Sequence, residues 1–96
     1  MHPSERVKFP VETAKAVLEH RLEADEAAAA MELQIEQLLP QLRHDRDMVT
    51  RSECESVATT LRLLGEQVND RASADGESEA HLAIAKMLGQ MAQSLR

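Results

Sequence analysis

The residues of this chain best suited to chemistry are four histidines (His2, His20, His44, His81) and one cysteine, Cys54. Glu77 and His81 stand four apart, so on a helix they share a face and could hold one edge of a metal site. Such a site needs a third ligand, and di-metal bundles repeat a Glu-x-x-His pattern that this chain lacks. A solvated pair near a helix start, with no metal and no cofactor, is therefore expected. His44-Asp45-Arg46-Asp47 reads as a mixed-charge connector. Cys54 falls near a helix N-terminus, which lowers a thiol's pKa and favours the nucleophilic thiolate. It also lies in an apolar stripe with no histidine beside it by sequence, so a buried structural thiol is expected. No spacing joins the plentiful serines and carboxylates into a catalytic group, and the chain is not expected to be an enzyme.

One segment points to a known family. Glu79-Ala80-His81-Leu82-Ala83-Ile84-Ala85-Lys86 resembles, over this short stretch, the phosphorylated helix of histidine phosphotransfer domains, which are small and all-helical. The resemblance implies His81 as the phosphoryl acceptor. In that family a lysine and a small residue follow the histidine closely. Here Lys86 lies five residues on, with Ala83 and Ile84 in the intermediate places.

The elements that would position these groups are helices. Cys54, Val57, Leu61, Leu64 and Val68 recur at three, four, three and four, the seam pattern of helix-on-helix packing. Thr50 with Glu53 forms a capping box, and Val49 with Cys54 occupies the positions of a hydrophobic staple. This predicts a helix over about 50–71. Ile84, Leu88, Met91 and Leu95 repeat the spacing at four, three and four, predicting a helix over about 77–95. Ser73-Ala74-Asp75-Gly76 reads as the turn between them, with Ser73 or Asp75 as a cap. These nine residues, Cys54 to Val68 and Ile84 to Leu95, form the expected packing core.

Residues 1–9 are largely polar and read as a flexible arm, with Pro10 suited to a first helical position. From Val11 to Leu39 there is no Gly, Pro or Asn, and Ala, Leu, Glu and Gln dominate. One long helix over about 10–43 is expected, kinked at Pro40 and fraying near His44. Its apolar face uses Val11, Ala14, Leu18 and Leu22 in the first half, then Met31, Ile35, Leu38 and Leu42. The two faces differ by a quarter turn or more at about 100° per residue. At 1.5 Å per residue this helix would reach roughly 45 to 50 Å, against roughly 30 Å for the other two. Part of it would then stay uncovered, and a second copy is expected on Leu18, Leu22, Ala29 and Leu33, with Phe9 as a terminal anchor. If Pro40 instead splits the helix, the chain folds back as a four-element monomer.

Composition narrows the rest. One aromatic residue in 96 makes a thin core, for which oligomerisation is a common remedy. Seventeen acidic against eleven basic residues give a net charge of −6, which disfavours nucleic acids and anionic membrane surfaces as partners. No apolar run approaches the roughly 20 residues of a membrane span, the first residues lack a signal-peptide core, and a lone thiol suits a reducing setting. The expectation is a cytoplasmic, all-α single domain: a long N-terminal helix plus a helical hairpin, three-helix-bundle-like and homodimeric. Its function would be recognition of another protein by apolar helix faces. A regulator that sequesters or inhibits a transcription factor or enzyme comes first. A chaperone or adaptor for a secreted or assembling helical protein is the alternative, and the phosphotransfer domain is a third reading.

Overall fold

Helices account for most of the structure, a computed structural model that describes residues 1–74, 76 and 78–96. Five are present among the described residues, and no strand: α1 (Pro3–Arg6), α2 (Lys8–Leu18), α3 (Ala24–Arg46), α4 (Arg51–Ala74) and α5 (Glu79–Ser94). The all-α expectation holds, but the long first helix does not. It is divided after Leu18 into α2 and α3, and its expected reach gives way to a molecule 40 Å along its greatest axis.

The break at residues 19–23 needs no glycine or proline. His20 adopts a left-handed conformation, φ 61°. Its N–H donates to the Val17 carbonyl at 3.1 Å, and the Arg21 N–H reaches back to the Ala16 carbonyl at 2.8 Å. These are the two bonds of a Schellman cap, with His20 in the place that glycine usually takes. Arg71 of α4 holds the end from outside, donating to the Leu18 carbonyl at 3.2 Å and to His20 Nε2 at 3.1 Å. Left-handed backbone costs a non-glycine residue roughly 1 to 2 kcal/mol. The exposed His20 bond returns only about 0.5 kcal/mol. His20→Gly is therefore expected to stabilise the protein by about 0.5 to 1 kcal/mol, raising its melting temperature by a few degrees. A fall in melting temperature on a circular dichroism scan would contradict this cap.

The remaining boundaries follow local chemistry. Pro40 stays inside α3, on its exposed side, where water can serve the carbonyl left without a donor, and the helix continues to Arg46 without the expected fraying at His44. Thr50 Oγ1 accepts the Glu53 N–H at 3.2 Å, as a cap should, while the Glu53 carboxylate is taken by His2 at 3.1 Å. α4 extends three residues beyond the expected 71, through Asn69 and Asp70, to Ala74. Gly76 supplies a positive φ of 81° in the turn. Ser78, and not Ser73, caps α5 by accepting the His81 N–H at 3.4 Å. Asp75 and Glu77 lie outside the described residues, as do a cap by Asp75 and the Glu77–His81 pair.

The expected arm is a further correction. Residues 3–6 form a helical turn capped by the His2 side chain, with Pro3 at its first position, and Pro3, Val7 and Pro10 are buried. Pro3, Val7, Pro10, Ala14 and Val17 are spaced four, three, four and three, which makes one buried stripe continuous through α1 and α2.

Packing joins these helices around one core. α5 lies against both α4 and α3, and α2 also touches both α4 and α3, while α3 and α4 make little direct contact. α2 and α5 thus stand at opposite corners. The nine expected core residues are all buried, Leu61, Val68, Ile84 and Leu88 completely, and Met31, Leu38 and Leu42 of α3 join them. With the long helix divided, the uncovered segment that pointed to a second copy is no longer there.

Candidate functional site

The corner filled by α1 and α2 is where polar chemistry and a groove coincide. Asp45, near the end of α3, is 1% exposed, a burial that a carboxylate tolerates only when paired. Arg6 of α1 donates Nε–H to its Oδ2 at 2.6 Å, and the Met1 amino nitrogen lies 3.8 Å from Oδ1. The Arg6 hydrogen bond, aided by the guanidinium charge, holds the Asp45 carboxyl below its usual range although burial opposes this. At the same end His2 Nε2–H donates to Glu53 of α4. Arg71 ties down the other end through the Leu18 carbonyl and His20. α1 and α2 are therefore clipped to α3 and α4 by a few polar bonds at each end.

Between the clips α2 offers the core little bulk. The side chains that α2 buries are short ones: Pro10, Thr13, Ala14 and Val17. Phe9, the one aromatic ring, stays outside at 38% exposure. Along the seam between α2 and α4 an open groove of about 350 Å³ remains. Val7, Val11 and Val57 line its apolar part, and Lys8, Glu12 and Lys15 belong to its edge.

The residues expected to form one contact face are not brought together. Leu18 ends α2 and Leu22 sits in the connector, both half-buried against the core. Ala29 and Leu33 belong to the outer face of α3, where Leu33 is 85% exposed. The break at 19–23 separates the two pairs. Asp45 is the residue that the mixed-charge reading of 44–47 missed. It follows Leu38 and Leu42 at spacings of four and three, so it continues their buried stripe.

The other chemistry-bearing residues have local roles. Cys54 is buried, and its Sγ donates to the Arg46 carbonyl at 3.6 Å. Burial first, and the Glu53 carboxylate second, push the thiol's pKa up, away from the thiolate a nucleophile needs. His81 is half-buried in the first turn of α5, with its Nδ1 enclosed and without a hydrogen-bond partner among the described residues. Among the described residues no three His, Cys, Asp or Glu side chains converge as a metal site would require, and no helix is long and apolar enough to cross a membrane. Comparison with known proteins finds no matching family model, no matching curated protein and no matching solved structure.

Proposed function

We propose that this chain acts by binding another protein, taking an amphipathic helix of the partner into the corner between α3 and α4. The observation that supports this reading is the segment already there: an eleven-residue helix with short buried side chains, clipped at its ends and leaving an open seam. Helix-in-groove recognition works through apolar anchors three and four residues apart. A partner carrying Leu or Phe where α2 carries Val11 would fill more of the seam. On this reading the chain is a regulator that sequesters or inhibits its partner, a transcription factor or an enzyme. A chaperone for a helical export substrate would use the same surface and differ only in its client.

Because α2 occupies the corner, partner affinity scales with the fraction of molecules in which it has lifted away. His20→Gly relieves the strained cap of the closed form and lowers that fraction. Capture from a native lysate by immobilised protein, followed by mass spectrometry, is expected to recover a partner whose yield falls several-fold with His20→Gly. Leu33→Glu, on the outer face of α3, should leave it unchanged. The opposite dependence would move recognition to the outer face. A transcription factor or enzyme in the bound fraction supports the regulator, and an export substrate supports the chaperone. Intact mass after incubation with acetyl phosphate tests the phosphotransfer reading, since only that one expects a phosphoryl adduct on His81.

A further inference from the structure

We infer that the corner has a second occupant, the α1–α2 segment of another copy of this chain, so that two copies exchange these segments in a domain-swapped dimer. The inference rests on the same corner proposed above as the recognition surface. Its first support is the connector. Residues 19–23 contain neither glycine nor proline, and the break depends on a left-handed histidine. Segment 11–39 has a composition suited to an unbroken helix, so straightening the connector removes strain and adds backbone hydrogen bonds. A continuous helix over residues 8–46 would be roughly 58 Å long and would carry α1 and α2 well clear of their own α3 and α4.

The second support is that the receiving surface needs no new design. The contacts that α1 and α2 make away from the connector can be remade between two chains, because the two copies are identical. Arg6 would meet the partner's Asp45 and His2 the partner's Glu53, while the two Arg71 bonds belong to the closed connector and are given up. The closed monomer and the exchanged dimer differ mainly at the connector. Whichever conformation residue 20 favours therefore sets the balance between them.

Light scattering coupled to size exclusion, after refolding at high protein concentration, reads that balance. His20→Ala, a better helix former without the Arg71 bond, should raise the dimer fraction, and His20→Gly should lower it. The expected change is several-fold to tenfold per chain, and each dimer contains two connectors. Arg6→Asp and Asp45→Arg test the exchange itself. Each places like charges together in its own monomer. In an exchanged heterodimer the two substituted positions meet as a charge-reversed pair in one half, and the native Arg6 and Asp45 meet in the other. Co-refolding the two variants should give a one-to-one heterodimer with restored helicity. A His20→Ala protein that stays monomeric, or a mixture that behaves as its separate components, overturns the inference. So does a dimer that forms without preference for the complementary mixture, because its contact must lie elsewhere. The functional reading fails separately, by loss of foreign partner capture while exchange persists.

Discussion

Leu61→Asp is expected to unfold the protein. Leu61 is fully buried at the centre of the α4 stripe, with Val57 and Leu64 beside it and the core helices around it. Removing a buried leucine side chain alone costs about 2 to 5 kcal/mol. An unpaired carboxylate in its place adds several more, or binds a proton to escape the charge. A domain of this length has a total stability of about 5 to 15 kcal/mol, so little or nothing remains. Far-UV circular dichroism should show most of the helical signal lost at 25 °C and neutral pH. A soluble variant with an unchanged melting temperature would mean that the α4 stripe faces solvent.

Arg6→Ala is expected to have the next largest effect, because it strands the Asp45 carboxylate. Breaking a buried ion pair from one side typically costs about 3 to 5 kcal/mol. Here α1 is short and Arg6 is a quarter exposed, so water can reach Asp45 if α1 lifts, and a loss of about 2 to 4 kcal/mol is expected. The sign of the pH dependence follows from the direction of the shift. Arg6 depresses the folded-state pKa of Asp45, so the pair contributes stability above the unfolded value near 4 and loses it as pH falls through the folded value. In Arg6→Ala the buried carboxyl is left to burial, which favours its protonated form. The stability gap between wild type and variant should therefore narrow as pH falls below about 4. Denaturant melts across that range test this, and a gap that stays constant would show that Arg6 acts only by packing.

Much of the fold can be read in the sequence, and the parts that cannot have physical reasons. Where apolar spacing and capping chemistry agree, as in Thr50 ahead of the Cys54–Val68 stripe, both the helix and its buried face follow. The break at 19–23 is masked because its cap uses His20, a residue with no strong claim to the left-handed region. Composition from Val11 to Leu39 favours an unbroken helix, and the connector's restraint comes from Arg71, about fifty residues away in sequence. One local sign exists: the apolar face rotates between Leu22 and Met31, by roughly half a turn at 100° per residue. A divided helix explains that rotation better than one helix with two neighbours. The candidate site was less legible. Asp45 stands among charged residues that suggest a solvated connector, and its burial depends on Arg6, a distant residue in a segment that reads as an arm.

The corner between α3 and α4, closed by a folded-back α2, is the feature on which the functional reading depends. Backbone chemical shifts of residues 8–46 in the monomeric protein test it most directly. The structure predicts helical shifts over 8–18 and 24–46, interrupted at 19–23, with a positive φ at His20. Unbroken helical shifts from 8 to 46 in a particle of monomer mass would contradict it.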